Sequence, residues 1–228
     1  MKLTKYAHSC ILVEDDGRVG LFDPGNYSYQ FGNFKVDNLN QLDDLMITHE
    51  HQDHLFMPFI KAVTAKFPNI NIVTTEVAKQ QLAAEGISNV STVGNSYIEL
   101  FKADHESMEP LFSVNQNVGV HYLNKLSHPG DSHHFEATKA VLALPITAPW
   151  GTVAKAAEIG QTLKPKYIIP IHDWQYNDDA RAGMYDRLSA FFDQLGITFL
   201  KPVDGQTIEI DVWNLAYFTT TFALRKSC

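Results

Sequence analysis

The sequence predicts an α+β fold in which two β-sheets pack face to face with helices on the outside, a four-layer αββα sandwich. In both halves of the chain, strand patterns come first and then mix with helix patterns. The 228 residues are 45% hydrophobic and 19% charged, which is typical of globular proteins and sufficient for a large core. No linker, repeat or low-complexity segment interrupts residues 1–228, so we expect one domain.

The first half of the chain is predicted to alternate short strands with two helices. Strands at Cys10–Glu14 and Val19–Phe22 flank Asp15-Asp16-Gly17, a hairpin signal. Asp23-Pro24-Gly25 then ends the second strand with a turn. Further strands are expected at residues 45–47 and 71–74, and helices at residues 55–67 and 76–84.

The second half contains the clearest helix signals. Thr152 can cap a helix that Pro165 ends, and Asp178 can begin another that Gly196 follows. Pro170 predicts a strand end or an irregularity within residues 167–171. The apolar stripes of the two helices are Val153, Ala156, Ile159 and Leu163, and Ala180, Met184, Leu188, Phe191 and Leu195. Other strands are expected at residues 97–103, 118–123 and 141–144.

The C-terminal residues 211–228 fit no element. They contain several aromatic side chains and leave a final strand, a docking tail and a lid as open alternatives. The aromatic residues are Trp213, Tyr217, Phe218 and Phe222.

Charge and cysteine content restrict the function. The formal net charge is −8, whereas a general nucleic-acid binder needs basic surface to pair with phosphates. Cys10 and Cys228 lie near opposite ends of the chain, which argues against a disulfide framework and for a reducing compartment. We find no apolar run typical of a signal peptide or a membrane span, so we expect a cytoplasmic protein with no membrane partner.

The strongest motif is Thr48-His49-Glu50-His51-Gln52-Asp53-His54. Its three histidines and one aspartate are potential metal ligands, and they follow an apolar strand directly. Imidazole and carboxylate together suit a divalent metal that activates water. The alternative is a solvated loop that is merely rich in histidine. Three further candidates, His105, Asp131 and His172, also follow predicted strands, which favours the metal site.

The order of these residues resembles the metallo-β-lactamase superfamily. The match is His-x-His-x-Asp-His, then a lone His, then Gly-Asp, then a late His, and it covers about residues 1 to 210. Three segments are similar to the ascorbate-6-phosphate lactonase-like branch of this superfamily: Ala7-His8-Ser9-Cys10, Phe22-Asp23-Pro24-Gly25 and Lys164-Pro165-Lys166 leading to Pro170-Ile171-His172-Asp173.

The resemblance implies a role for each residue in a site for two divalent ions. Asp131 would bridge both ions, and Asp23 would orient a ligand histidine. The first ion would be held by His49, His51 and His105, and the second by Asp53, His54 and His172. No thiolate joins this set. The site is therefore harder than a zinc site that contains cysteine, and we expect zinc, with manganese and iron as alternatives.

Several residues outside the motif have two interpretations. Trp150, in a segment where that branch often has a pair of glycines, either lines the substrate pocket or packs on the surface. His8 either touches the site or is a packed strand residue, and Cys10 is expected to be structural rather than nucleophilic. Solvated or supporting positions are expected for His121, His128, His133, His134, Glu50 and Gln52.

These features predict a dinuclear hydrolase in which a shared hydroxide attacks a small lactone, ester or phosphoester. Either Asp131 or Asp53 would shuttle the proton. The positive charge of the two ions predicts attraction of compact anions. A phosphodiesterase or nuclease of the same fold and a non-catalytic metal-binding sensor or accessory protein are the alternatives. We expect a small-molecule substrate and no nucleic-acid partner, and a homo-oligomer is compatible with the sequence.

Overall fold

In a computed structural model, two mixed β-sheets lie face to face, with helices against both outer faces. The predicted α+β four-layer sandwich is confirmed. The structure describes residues 1–31, 34–111 and 116–212. The aromatic tail predicted from Trp213 to Phe222 lies outside the described residues.

The described residues form thirteen strands and four α-helices, numbered here in chain order. The strands are β1 (Lys2–Lys5), β2 (Ile11–Asp15), β3 (Arg18–Phe22), β4 (Asp44–Met46), β5 (Asn71–Val73), β6 (Val90–Ser91), β7 (Ile98–Lys102), β8 (Val118–Tyr122), β9 (Leu126–His128), β10 (Val141–Pro145), β11 (Tyr167–Ile171), β12 (Thr198–Phe199) and β13 (Thr207–Glu209). The helices are α1 (Met57–Lys66), α2 (Glu76–Ala84), α3 (Val153–Leu163) and α4 (Asp178–Asp193). A π-helical turn covers Tyr27–Phe31 and a 3-10 turn covers Val36–Asn38.

The strand directions bring several strand ends to one edge. The first sheet has the order β13-β1-β2-β3-β4-β5-β6, and the second has the order β12-β11-β10-β9-β8-β7. In the first sheet, β1, β3 and β4 run in the same direction, because two antiparallel pairings precede a parallel one. By the same reasoning β7, β9, β10 and β11 share one direction in the second sheet.

Three apolar layers separate the four structural layers. Between the sheets, Phe22 and Met46 pack with Val120 and Ile169. The outer face of the first sheet packs against α1 and α2, and that of the second packs against α3 and α4. Burial on both faces explains why strands such as β10 are apolar throughout. No helix in the described part of the chain has the length and apolar character needed to cross a membrane.

The helix ends follow the predicted capping signals. The side chain of Thr152 accepts a hydrogen bond from the backbone N–H of Lys155 and caps α3 as predicted. Helix α4 begins at Asp178, as predicted, and its cap is the preceding Asn177, whose side chain accepts a hydrogen bond from the N–H of Ala180. Pro170 is tolerated within β11 because the pairing with β12 involves only Tyr167 and Ile168.

The predicted apolar stripe of α4 is confirmed in part, because Met184, Phe191 and Leu195 are half-buried and pack with the buried Leu188 against the same apolar layer. The buried residues of the helix are Tyr185, Leu188 and Phe192, so among the predicted stripe only Leu188 lies fully inside. The helix is rotated relative to the prediction because Tyr185 turns inward to a polar partner. The short strands β12 and β13 were also missed. Their two and three residues carry too little pattern, and their pairing partners are distant in sequence.

The polar partner of Tyr185 is a buried ion pair between the first and second halves of the chain. Lys5, on β1, donates to both carboxylate oxygens of Asp173 at 2.7 Å, and both side chains are fully buried. The hydroxyl of Tyr185 also donates to Asp173. Burial raises the pKa of Asp173, but Lys5 and Tyr185 outweigh it and hold the pKa below its ordinary value. Asp173 directly follows His172, so the pair fixes the chain beside a predicted ligand.

We predict that Lys5→Ala lowers the free energy of unfolding by about 3–5 kcal/mol, because it leaves the Asp173 carboxylate buried without its counter-ion. Lys2→Ala is the control, since Lys2 lies on the same strand and is exposed. It is expected to change stability by less than about 0.5 kcal/mol. Urea denaturation of the three proteins measures the difference, and equal stabilities for Lys5→Ala and wild type would contradict the prediction.

Candidate metal centre

The predicted site residues all follow the ends of strands that share a direction. In the first sheet, His8 follows β1, Asp23 follows β3, and the motif beginning at His49 follows β4. In the second sheet, His105 follows β7, Asp131 follows β9, and His172 follows β11. The sheets pack together, so these loops meet at one edge of the sandwich. Residues far apart in sequence therefore converge on one place.

The first group of potential ligands consists of His49, His51, His105 and Asp131. One ligand atom from each lies within 4.8 Å of the corresponding atoms of the others. Nε2 of His49 lies 3.1 Å from Nδ1 of His51. Nε2 of His105 lies 3.6 Å from Oδ2 of Asp131. This group matches the predicted first set, with Asp131 in contact.

The second group consists of His8, Asp53, His54 and His172, again within 4.8 Å of one another. Three of these were predicted as ligands. His8 is the additional member. It is buried, and of its two interpretations the structure supports the one in which its ring contacts the site. Its Nε2 lies 3.1 Å from Oδ2 of Asp53, and its ring centroid lies 4.1 Å from that of His172.

Asp131 lies between the two groups. Its Oδ1 is 3.0 Å from Nε2 of His54, and its Oδ2 is 3.1 Å from Nε2 of His172. The same Oδ2 is 3.8 Å from Nε2 of His49 in the first group. This placement is what a carboxylate shared by two ions requires.

Hydrogen bonds at Nδ1 fix the tautomers of several histidines. His54 donates from Nδ1 to Oδ2 of Asp23 at 2.7 Å, and His172 donates from Nδ1 to the carbonyl of Thr147 at 2.7 Å. His105 donates from Nδ1 to the carbonyl of Glu106 at 2.6 Å. Each of these histidines therefore points its Nε2 toward the group, and Nε2 is the atom that remains to bind a metal when Nδ1 is hydrogen-bonded.

Asp23 supports the motif at several points. Its Oδ1 accepts from the backbone N–H of Thr48 and its Oδ2 accepts from the Thr48 hydroxyl, both at 2.8 Å. The Thr48 hydroxyl donates its proton to Asp23, so its oxygen accepts a hydrogen bond from Nδ1 of His49 at 3.1 Å. Asp23 thus orients His54 directly and His49 through Thr48. The predicted orienting contact of Asp23 is present in the structure.

The loops of the site contain residues with left-handed φ angles and a glycine at a close approach of two backbone segments. His8, Asp23 and His172 have left-handed φ angles of 57°, 41° and 58°. Side chains rarely adopt this conformation, and it is concentrated at functional sites. At Gly25, an added Cβ would lie 1.7 Å from the carbonyl oxygen of Asp53. The turn after Asp23 therefore needs glycine in order to pack against the motif.

The charges of the cluster depend strongly on one another. Burial lowers the pKa of His49, and the neighbouring His54 lowers it further. Burial also lowers the pKa of His54, but Asp131, Asp23 and Asp53 together raise it well above its ordinary value. Burial raises the pKa of Asp131, yet His172, His54 and His49 hold it well below its usual range. Positive charge next to Asp131 is therefore strongly favoured.

Buried polar atoms without well-formed hydrogen bonds give a second reason, independent of the motif, to expect divalent metal ions at this site. Nε2 of His105 is buried and has no hydrogen-bond partner among the described residues. Nε2 of His54 and Oδ1 of Asp131 are also buried, and although they lie 3.0 Å apart they form no well-directed hydrogen bond. Buried polar atoms without partners destabilise a protein unless something else satisfies them. All three atoms face the cluster, where a metal ion can accept their lone pairs.

A cavity of about 810 Å³ opens onto the two groups. Of the two positions that the sequence left open for Trp150, the structure selects the cavity wall. Its ring centroid lies 5.0 Å from that of His172 and 6.1 Å from that of His105.

Several expectations for the remaining polar residues were wrong. His128 is buried on β9, where it stacks on Phe22, and Glu50 is buried in the cavity wall. His121 and His133 are buried too, while His134 is exposed as expected. Gln52 is also exposed as expected, although it reaches the cavity.

Cys10 fits a structural role. It is buried in the apolar layer beneath α1 and α2, and burial raises the pKa of its thiol to about 12. The thiol therefore stays protonated at neutral pH, which argues against a nucleophilic cysteine.

Comparison with known protein families accounts for this arrangement. Residues 2–172 match the family model described as a beta-lactamase superfamily domain, which covers three quarters of the chain. The chain belongs to the metallo-β-lactamase superfamily. The superfamily resemblance predicted from the motif is therefore confirmed.

Similar proteins of this superfamily come from several organisms. Protein Rv0786c of Mycobacterium tuberculosis is 27% identical over 83% of this chain and 92% of its own length. A UPF0173 metal-dependent hydrolase of Pyrococcus furiosus is 27% identical over 75% of this chain and 84% of its own.

Among solved structures, Igni18, a metallo hydrolase of Ignicoccus hospitalis, has a TM-score of 0.68 and 18% identity. The match covers 92% of this chain and 99% of Igni18. At this identity the likeness shows the metallo-β-lactamase fold. The ascorbate-6-phosphate lactonase-like branch is not confirmed by these relatives.

We predict that Asp23→Ala weakens metal affinity or activity by about 10–100-fold, because His54 and Thr48 lose their common acceptor. Asp37→Ala is the control, since Asp37 is an exposed acidic residue outside the metallo-β-lactamase motif. Competition with a chelator measures the affinity. Wild-type affinity in Asp23→Ala would show that Asp23 serves only the turn formed with Pro24 and Gly25.

Proposed function

We propose that the protein is a metal-dependent hydrolase with a dinuclear centre. His49, His51 and His105 would hold one ion, Asp53, His54 and His172 would hold the other, and Asp131 would be shared by the two sets. The observation that carries this proposal is the central position of Asp131, within about 3 Å of both His54 and His172 and close to the first group.

His8 completes the second group as a positioning residue. Burial and the neighbouring His172 lower the pKa of His8 to about 4, so the ring is neutral at physiological pH. A neutral ring donates from Nε2 to Oδ2 of Asp53, which fixes the direction of that carboxylate. Because this bond uses Nε2, His8 supports the ligand Asp53 rather than replacing it.

Divalent ions held by these residues would supply two kinds of chemistry: they would lower the pKa of bound water toward neutrality and would polarise a carbonyl or phosphoryl oxygen of the substrate. The protein's own groups supply orientation and proton transfer. Asp53 is partly exposed at the cavity wall, where its carboxylate would be within reach of a water and of the leaving group and would pass a proton between them. Asp131 is buried and keeps its charge at the centre. The imidazole-rich donor set suits zinc, and the carboxylates together with the absence of thiolate leave manganese and iron as alternatives.

The substrate is a small lactone, ester or phosphoester. The cavity volume is of the size that binds compact organic molecules. A nuclease needs several Lys or Arg contacts along the polymer, and none of the described residues that line the cavity is Lys or Arg. The small-molecule assignment is therefore favoured over the nuclease.

We predict that the protein binds two divalent ions per chain and that Asp131→Ala loses hydrolysis far more than folding stability. Elemental analysis and calorimetric titration measure the ion number, and thermal denaturation measures stability. Asp186→Ala is the control, because Asp186 is largely exposed and pairs with Lys201 on the surface. Saturation at one ion, or unchanged turnover in Asp131→Ala, contradicts the dinuclear proposal.

We predict hydrolysis of small lactones or esters and no useful cleavage of RNA or DNA at physiological salt. The assay compares lactones, carboxylic esters, phosphomonoesters and phosphodiesters with oligonucleotides, each with zinc or manganese supplied. Efficient oligonucleotide cleavage that weakens steeply as salt rises would instead support the nuclease. Stable metal binding without turnover of any substrate would support the sensor.

A further inference from the structure

The cavity above the metal centre has an aromatic wall. A series of ring contacts runs from Trp150 to His172 at 5.0 Å, to His8 at 4.1 Å and to Tyr27 at 5.2 Å. Tyr27 in turn stacks on Trp174, with centroids 4.7 Å apart. Four of these rings come from loops that follow strand ends, and Tyr27 belongs to the π-helical turn. The wall is therefore held on the same rigid edge as the centre.

Trp150 is the ring on this wall that can receive a substrate. Its neighbours His105, His133 and His172 meet it at interplanar angles of 65°, 72° and 59°. None of the three is parallel to the indole, so they do not stack on its face. Flat unsaturated groups gain from stacking on such a surface.

The charged groups in the cavity wall are carboxylates. Glu50, Asp53 and Asp131 line it, and the described lining residues include no Lys or Arg. Glu50 is buried, and neither of its carboxylate oxygens has a hydrogen-bond partner among the described residues. Three carboxylates offset most of the charge of two divalent ions. The attraction for anions expected from the ions alone is therefore largely cancelled.

The N-terminus of α1 lies at the cavity rim, but its backbone N–H groups do not provide the anion-binding donors that Lys or Arg side chains would supply. Phe56, Met57 and Pro58, at the beginning of α1, line the cavity. Pro58 has no N–H, and the N–H of Phe59 already donates to the carbonyl of Phe56 at 2.9 Å. The remaining polar donors include the amides of Gln52, Gln81 and Gln175, which suit neutral oxygen atoms.

From these observations we propose the substrate class, on the basis of the function proposed above. The substrate is an uncharged ester or lactone that carries a flat aromatic or unsaturated ring. The ring stacks on Trp150, and the carbonyl lies toward Asp131 and His172. Glu50 disfavours analogues that carry a negative charge, because its unpaired carboxylate repels them in a site of low dielectric.

The test uses two lactones of matched reactivity and one aliphatic control. Dihydrocoumarin is compared with a ring-carboxylated dihydrocoumarin, and δ-valerolactone lacks the aryl ring. The wild-type kcat/KM is expected to be about ten-fold higher for the uncharged dihydrocoumarin than for its carboxylate. Glu50→Gln is expected to narrow that gap, whereas Glu99→Gln, a change at an exposed glutamate on β7, leaves it unchanged.

Trp150→Leu tests the stacking contact. It is expected to raise KM for dihydrocoumarin by about ten-fold, the size of a lost aromatic pair, with little change for δ-valerolactone. Trp150→Phe is expected to restore most of the loss. Elemental analysis of each variant shows whether the metal centre is intact. Equal losses for both lactones, or faster turnover of the carboxylated lactone by wild type, would overturn the proposal.

A binding measurement separates this proposal from the hydrolase function. Dihydroquinolinone, the lactam analogue of dihydrocoumarin, is titrated against metal-loaded protein by calorimetry. Binding that weakens about ten-fold in Trp150→Leu supports the substrate class even if no lactone is hydrolysed, in which case the proposed hydrolysis alone fails. Hydrolysis of lactones combined with no lactam binding in wild type overturns the substrate class and leaves the hydrolase function standing.

Discussion

The carboxylate of Asp131 is the contact through which the two sheets meet at the site. It follows β9 of the second sheet, and it lies 3.0 Å from His54, which belongs to the first sheet. A buried carboxylate is stable only when neighbouring groups carry compensating positive charge, and here the groups around it are imidazoles. The packing between the sheets and the charge of the centre therefore depend on each other. Loss of the inter-sheet packing would separate the two halves of the site.

Local patterns explain why much of the fold was predictable. The bounds of α2 and the cap of α3 at Thr152 follow from signals within a few residues. The buried face of α4 does not, because Tyr185 is drawn inward by Asp173 and Lys5 from other parts of the chain. Strands as short as β12 exist only because a distant strand pairs with them. Sequence patterns describe an element well when its partners are close in the chain.

The same distinction applies to the site. The ligands of the motif lie within six residues of one another, and His105, Asp131 and His172 were found because each follows an apolar strand. His128 was expected to be solvated and is buried, and Glu50, which was expected to point outward or to support the loop, is buried as well. Nothing next to them in sequence indicates this, since their burial comes from the loops of the opposite sheet and from the wall of the cavity. Short motifs thus reveal ligands more readily than the residues that surround a ligand.

The cavity shows why superfamily membership defines the metal chemistry more closely than the substrate. The proposed ligands are fixed by strand ends and by hydrogen bonds such as that from His54 to Asp23. Trp150, Tyr27 and Glu50 line the cavity, but the ligand hydrogen bonds at Asp23, Thr147 and Glu106 do not involve their side chains. A change in these side chains alters the shape and charge of the cavity while those bonds persist. Specificity can therefore diverge on a constant centre, because the wall and the ligands are separate parts of the same rigid edge.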